Sequence, residues 1–172
     1  AQKAVLSTDA IEAELRDGPL ALTPLQATFV ALPGSLDRFH QAVAVRPPRG
    51  TSFAAVLRAL QRLMEIHDSL RLRLIAAAGD QPARLWLDPF DPTRLALEDF
   101  DQLEPAHLSE DMRQDHFARL ARQLPQQLDP QAGRMVAGLF GHDAEGPRLV
   151  LAIHHLAVDG VSWRVLLEDL AQ

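Results

Sequence analysis

The amino-acid sequence predicts an α/β fold in which helices flank a mixed β-sheet. Between Phe53 and Met64 the apolar residues recur at spacings of three and four, as they do along one face of an amphipathic helix. Leucine and arginine alternate over Leu70 to Ala76, which is typical of a half-buried strand. Helical and strand patterns follow one another irregularly along the chain, and this order favours helices layered on a sheet whose strands run in both directions.

Cap residues and turns delimit the elements of the first half of the chain. Helices are predicted over Ala10 to Arg16 after the cap Asp9, from Pro24 after the cap Thr23, and from Phe53 after a cap at Thr51 or Ser52. Gly18-Pro19 ends the first helix, and Pro33-Gly34-Ser35 is a predicted turn. Strands are predicted over Phe39 to Val45, Leu70 to Ala76 and Ala83 to Leu87, the last two joined by a hairpin turn at Gly79-Asp80.

The second half begins with an acidic stretch, residues 88–101, that prolines interrupt. It predicts irregular structure with a short strand at Leu95 to Leu97. A long helix is expected over about Leu108 to Leu124, where apolar side chains share one side. Strands over Met135 to Phe140 and Arg148 to His154 then flank a turn, and a last helix is predicted to begin near Val161.

Composition and charge restrict the class of protein. The 172 residues, 47% apolar and 23% charged, suffice for one globular domain with a sizeable core. A net charge of −6 argues against non-specific binding to nucleic acid or to an anionic membrane, and the apolar runs are too short to span a bilayer. The absence of cysteine excludes disulfides, thiolate zinc sites and a cysteine nucleophile, and it agrees with an expected location in the cytoplasm.

Two adjacent histidines form the main candidate site. His154 and His155 end an apolar run, and Asp159 and Gly160 follow in the next loop. An imidazole that a strand delivers to a tight loop is suited to proton transfer, although a purely structural role for it stays open at this point. Neighbouring strand residues point to opposite faces, so at most one histidine faces a substrate, and a metal site is a poor fit. Gly160 is expected to adopt a backbone conformation that other residues avoid.

The side chains that follow the glycine are given structural roles. Ser162 is predicted to cap the last helix rather than to act as a nucleophile, because no base is evident beside it. Trp163 is predicted to lie in the core.

Four separated segments form one pattern: L-T-P-L-Q at 22–26, I-H-D-S-L-R-L-R at 66–73, L-D-P-Q-A-G-R-M at 128–135 and H-H-L-A-V-D-G at 154–160. In this order and spacing they resemble the motifs of the condensation-type domains of non-ribosomal peptide synthetases, whose signature is HHxxxDG. The stretch D-G-V-S-W-R at 159–164 is similar to the epimerization subtype. L-D-R-F-H-Q at 36–41 resembles another segment of that subtype, but departs from it at Arg38 and His40.

The resemblance implies a fold like that of chloramphenicol acetyltransferase, with two lobes and a cleft between them. Residues 1–172 would be the N-terminal lobe, and the second lobe would be absent from this sequence. His155 would be the catalytic residue, His154 a supporting one, and Asp159 with Gly160 would be structural. By the family pattern Asp159 would pair with Arg71 and hold the loop.

The implied activity is the interconversion of L and D forms of an aminoacyl or peptidyl thioester. The substrate would be carried on the phosphopantetheine arm of a carrier protein, with no cofactor or metal bound directly by the chain. Expected partners are the carrier protein domain, the missing C-terminal lobe and neighbouring synthetase modules, and self-association through the exposed lobe interface is a further expectation. A condensation domain that forms peptide bonds, and a non-catalytic half-domain that serves docking or assembly, remain the alternatives.

Overall fold

The computed structural model describes residues 18–31, 39–103 and 108–171. The predicted helix over Ala10 to Arg16 and the predicted turn at Pro33-Gly34-Ser35 lie outside the described residues. So do positions 36–38 of the segment that resembles the epimerization subtype.

Seven strands and five α-helices make up the described part of the chain. The strands are β1 (Gly18–Leu20), β2 (His40–Val45), β3 (Leu72–Ile75), β4 (Arg84–Leu87), β5 (Ala96–Asp99), β6 (Val136–Asp143) and β7 (Gly146–His154). The helices are α1 (Pro24–Ala31), α2 (Phe53–Ile66), α3 (Phe100–Leu103), α4 (Glu110–Gln123) and α5 (Gly160–Leu170), with short 3₁₀ turns at Asp68–Arg71, Pro92–Arg94 and Leu124–Gln127.

The strands form two sheets. The larger has the order β2-β7-β6-β5, with β5 parallel to β6 and the other neighbours antiparallel, so the predicted mixed sheet is confirmed. The smaller has the order β1-β4-β3 and is antiparallel throughout. The sequence predicted the β3–β4 hairpin but not β1. Pro19 suits β1 because an edge strand tolerates a residue without an N–H.

Both faces of the larger sheet are buried, which is why β6 and β7 are nearly continuous apolar runs. On one face, α2 and α5 pack on the sheet, and the cluster contains Leu60, Met64, Leu151, Ile153 and Trp163. On the other face, α4 and the loop after it pack on the sheet, and the cluster contains Phe100, Phe117, Leu124, Leu139 and Ala152. Leu151 and Ile153 therefore alternate with Ala152 between two cores.

Helix α2 is the best-predicted element. The Ser52 side chain accepts a hydrogen bond from the Ala55 N–H at 3.3 Å, which satisfies one of the free donors at the helix start. Its apolar stripe is buried at Val56, Leu60, Leu63 and Met64. Burying each such side chain contributes about 1.5–3 kcal/mol to the free energy of unfolding.

Other boundaries differ from the sequence predictions where tertiary contacts decide them. The strand predicted from Leu70 begins two residues later, because residues 68–71 form a 3₁₀ turn. A short helix, α3, stands inside the stretch predicted to be irregular apart from one strand, since Phe100 is completely buried against Phe117. Within the described residues, no helix combines the length and hydropathy that crossing a membrane would require.

An ion pair joins the β6–β7 hairpin to the end of β2. The Arg46 guanidinium donates two hydrogen bonds to the Asp143 carboxylate, at 2.9 and 2.8 Å. These bonds lower the pKa of Asp143 to about 2, against the opposing effect of burial. The Asp143 side chain is 7% exposed, so solvent screens this pair less than it would screen an exposed one.

We expect this pair to make the fold acid-sensitive. A carboxylate whose pKa is lower in the folded chain than in the unfolded chain stabilises the fold above the unfolded value, and the stabilisation is lost as the pH falls toward the folded value. The free energy of unfolding, from denaturant titrations between about pH 4 and pH 2, should fall less steeply in Asp143→Asn than in the wild type, by up to ~1.4 kcal/mol per pH unit. Glu145→Gln, which changes a 75% exposed partner of Arg46, is the control and should keep the wild-type slope. Equal slopes for Asp143→Asn and the wild type would contradict the prediction.

Candidate functional site

The two histidines stand at the end of β7 and face opposite ways, as the alternation of a strand requires. His154 is the last residue of β7 and is 0% exposed, whereas His155 is half-buried. The His155 N–H donates to the Phe39 carbonyl at 2.8 Å, so the pairing between β7 and the residue before β2 continues through this position. The backbone of His155 is therefore held by the sheet although its side chain reaches a loop.

His154 is used within the fold. Its Nδ1 accepts a hydrogen bond from the Leu156 N–H at 3.2 Å, and its carbonyl accepts one from the Ala157 N–H at 2.9 Å. Its own N–H donates to the Met135 carbonyl at 2.9 Å. These bonds turn the chain sharply after β7, which is a position consistent with the supporting role that the sequence resemblance implied.

The tautomer of His155 follows from its partners. Its Nδ1 lies 2.7 Å from the Val158 carbonyl oxygen. Because a carbonyl only accepts, Nδ1 must carry the proton, and Nε2 of the neutral ring then has a free lone pair. The Gln41 side-chain amide nitrogen lies 3.4 Å from that Nε2. The ring is therefore arranged with its unprotonated nitrogen turned away from the loop backbone.

An aromatic contact and the first sequence motif border the same ring. Phe29 of α1 lies against His155 with ring centroids 5.0 Å apart. Helix α1 begins with a capping box, in which the Gln26 N–H donates to the Thr23 hydroxyl and the Thr23 N–H donates to the Gln26 carbonyl oxygen. The Gln26 amide nitrogen also donates to the Leu156 carbonyl at 2.9 Å. The L-T-P-L-Q segment is thus attached directly to the loop that carries His155.

Asp159 is the N-cap of α5. Its Oδ1 accepts hydrogen bonds from the Ser162 hydroxyl at 2.6 Å, the Ser162 N–H at 2.8 Å and the Val161 N–H at 3.1 Å. The bond from the Ser162 hydroxyl, followed by the backbone bonds, lowers the pKa of Asp159. The prediction that Ser162 caps the helix is therefore wrong by three residues: Asp159 is the cap, and Ser162 contacts it from the first turn.

The predicted ion pair between Asp159 and Arg71 is wrong in this part of the chain. The Arg71 guanidinium instead bonds to the Asp68 carboxylate and donates to the Asp88 backbone carbonyl. The physical reason lies in the local donors and acceptors: the start of α5 already supplies three donors to Asp159, and the 3₁₀ turn places Asp68 beside Arg71. Arg71 therefore holds the small sheet rather than the histidine loop.

Asp88 is the buried centre of that arginine cluster. It is 5% exposed and receives hydrogen bonds from Arg73 and Arg94. Burial acts to raise the pKa of Asp88, but the bonds from Arg73 and Arg94 outweigh it and lower the pKa. This cluster is electrostatically satisfied and structural.

The expectation for Gly160 is also wrong. Among the described residues, Gly50, Gly79, Gly133 and Gly146 have positive φ, and Gly160 does not. A Cβ built on Gly160 would meet nothing within 4 Å. Gly160 is the first residue of α5, where ordinary helical backbone angles are enough.

Sequence reasoning missed Gln41 and the polar role of Trp163. The Trp163 indole N–H donates to the Gln41 carbonyl oxygen at 2.8 Å, although the indole itself lies in the core as predicted. A signal existed, because a buried tryptophan usually needs an acceptor for its N–H. Among the residues that the structure describes, no group of three or more His, Cys, Asp or Glu side chains could hold a metal ion.

The comparisons with known proteins agree with this geometry. A sequence model described as the condensation domain matches residues 18–172. The chain belongs to the condensation domain family. A linear gramicidin synthase of Brevibacillus parabrevis is 34% identical over 160 residues, and a surfactin synthase of Bacillus subtilis is 34% identical over 157 residues. These matches cover 89% and 90% of the chain, but only 3% and 4% of the two synthases.

Solved structures of the family have the same fold. The epimerization domain from the third module of tyrocidine synthetase B superposes with a TM-score of 0.75 at 30% identity, covering 90% of this chain and 34% of that one. The X-domain from teicoplanin biosynthesis gives a TM-score of 0.63 at 25% identity, covering 88% of this chain and 31% of that one. The predicted resemblance to condensation-type domains is confirmed, and the chain spans about a third of the length of these structures.

We expect Asp159 to stabilise the condensation-family domain as a helix cap and not through Arg71. Asp159→Ala should lower the Tm by roughly 2–4 °C, because α5 loses its N-cap, while Asp159→Asn should retain most of the stability, since asparagine is an equally good cap. Thermal unfolding followed by circular dichroism measures both.

The double variant Asp159→Ala with Arg71→Ala separates the two roles. Residues that do not interact have additive effects, so the two Tm changes should sum. A double variant that is clearly less impaired than this sum would restore the ion pair.

Proposed function

We propose that this chain is the N-terminal part of an epimerization domain, and that it contributes the base that removes the α-proton of a carrier-protein-bound thioester. The observation that carries the proposal is the state of His155, whose Nδ1 is committed to the Val158 carbonyl and whose Nε2 is left as a proton acceptor. The likeness to the epimerization domain of tyrocidine synthetase B supports the subtype, with 30% identity against 17–19% for the starter condensation domain of rhizomide synthetase.

The step assigned to His155 is a simple proton transfer. The thioester carbonyl acidifies the neighbouring α C–H. As Nε2 of His155 forms its N–H bond, the α C–H bond breaks and the electron pair moves to the carbonyl oxygen, which gives an enolate. Return of a proton to the opposite face of the α-carbon inverts the configuration. The step needs no oxidant, reductant or metal, and a positioned general base contributes ~10²–10⁴-fold to such a rate.

The acid for the opposite face is assigned to the part of the domain that lies outside this chain. The chain covers 34% of the epimerization-domain structure to which it is similar, so a complete cleft needs further sequence. The proposed partners are a carrier protein bearing the substrate on its phosphopantetheine arm, that remaining lobe, and neighbouring synthetase modules. We propose that they meet in the cytoplasm, where a chain without cysteine has no need of an oxidising compartment.

An assay with two forms of the protein tests the proposal. An L-aminoacyl carrier protein is incubated in D₂O with this chain, and separately with a form extended through the second lobe. We expect deuterium at the α-carbon and D/L equilibration with the extended form alone. Formation of a peptide with a second, acceptor carrier protein, without equilibration, would overturn the proposal in favour of a condensation domain. Absence of both reactions with a folded extended form would favour a non-catalytic docking module.

A second prediction concerns His155 itself. In the extended form, His155→Ala should lower the rate of α-proton exchange by ~10²–10⁴-fold, because it removes the base. His142→Ala is the matched control: it lies at the opposite end of the β6–β7 hairpin, where His142 pairs with Pro147 in register, and should retain wild-type exchange. Exchange within a few-fold of wild type in a folded His155→Ala variant would exclude His155 as the base.

A further inference from the structure

A hydrogen-bonded chain of three side chains leads from the core to the proposed base. Trp163 in α5, Gln41 in β2 and His155 after β7 are far apart in the sequence and meet at one point. The Trp163 ring is 9% exposed and belongs to the main core, and Gln41 is half-buried. The innermost member of the chain is therefore held by packing on all sides, and the outermost is the proposed base.

The direction of each bond in this chain follows from group chemistry. An indole N–H can only donate, so the Gln41 atom facing Trp163 at 2.8 Å must be the carbonyl oxygen. The Gln41 NH₂ group then faces Nε2 of His155, at 3.4 Å, and can only donate to it. At the other side of the ring, the Val158 carbonyl can only accept from Nδ1 at 2.7 Å. The two ends agree on a single tautomer.

A flip of the Gln41 amide would break this agreement. Its oxygen would face Nε2 of His155 and favour a proton there, which leaves no lone pair for proton abstraction. The same flip would set the Gln41 NH₂ against the Trp163 N–H, so a buried donor would lose its acceptor. Trp163 therefore selects the amide orientation, and the amide selects the protonation pattern of the imidazole.

We propose that Gln41 and Trp163 are positioning residues that keep Nε2 of His155 unprotonated and aimed as a proton acceptor. The proposal about the tautomer stands on the hydrogen bonds alone. Its consequence for catalysis rests on the proposed function, in which His155 is the base.

Nitrogen-15 NMR of the protein labelled at its histidines tests the tautomer directly, with the His155 signals assigned by comparison with His155→Ala. In the wild type, in the pH range where the ring is neutral, we expect a protonated Nδ1 and an unprotonated Nε2. Gln41→Glu replaces the donor by a carboxylate, which can only accept, so it should place a proton on Nε2. Trp163→Phe removes the lock on the amide and should give a mixture of the two tautomers.

Matched controls separate this effect from loss of structure. Trp86→Phe makes the same chemical change in β4, and Gln123→Glu makes the same change at the exposed end of α4, and both should keep the wild-type signals. A wild-type signal from a protonated Nε2 would overturn the proposal. So would a folded Gln41→Glu protein, with the wild-type circular dichroism spectrum, in which Nε2 stays unprotonated.

Kinetics of the extended form then test the catalytic consequence. Gln41→Glu should lower kcat for α-proton exchange by ~10²-fold, the lower end of the general-base contribution, with KM within a few-fold of wild type. Trp163→Phe should lower kcat by about tenfold, as expected for the loss of one buried hydrogen bond. An unchanged kcat in Gln41→Glu with a protonated Nε2 would overturn the positioning role.

The two readouts distinguish the two proposals. If the wild-type protein shows the expected tautomer but no epimerization, the proposed function fails and the role of the pair in setting the tautomer stands. If the tautomer is wrong while epimerization occurs, the function stands and the role of Gln41 and Trp163 fails.

Discussion

Burial of β7 on both faces is the constraint on which the rest of the structure depends. The strand pairs with β2 along one edge and with β6 along the other, and its residues alternate between two hydrophobic clusters. A shift of one residue in its register would exchange the two faces and place His154 where His155 now lies. Because both faces are apolar and closely packed, such a shift is strongly disfavoured. The sheet therefore decides which of the two adjacent histidines is available for chemistry.

The loop after β7 is held by hydrogen bonds from three directions. His154 turns the chain from within the core, Gln26 binds the Leu156 carbonyl from α1, and Asp159 ends the loop by capping α5. His155 adds a fourth restraint by donating to the Val158 carbonyl across the turn that it begins. The loop is short and its backbone groups are largely committed, so the imidazole is held without a metal or an ion pair in the described part of the chain.

Local patterns predicted the parts of the fold that depend on neighbouring residues. The Ser52 cap and the apolar stripe of α2 were predictable directly, and so were the β3–β4 hairpin and the two strands that lead to the histidines. The failures have a common origin. The partner of Asp159 was assigned through a family pattern, whereas the nearest donors were those of its own helix, and the need for an unusual conformation at Gly160 was inferred from residue type alone. A motif identifies the residue types at a site, but the contacts it makes depend on which groups are already satisfied locally.

The sequence by itself determined the class of fold, the family, and the histidine pair as the centre of interest. These depend on apolar periodicity and on motifs of a few consecutive residues. Only the tertiary structure decided that His155 rather than His154 is the accessible ring, that Arg71 belongs to a separate cluster, and that Gln41 and Trp163 meet beside Nε2. The physical reason is that these contacts join residues more than a hundred positions apart, or depend on competition among several nearby donors. No local pattern records a contact of either kind.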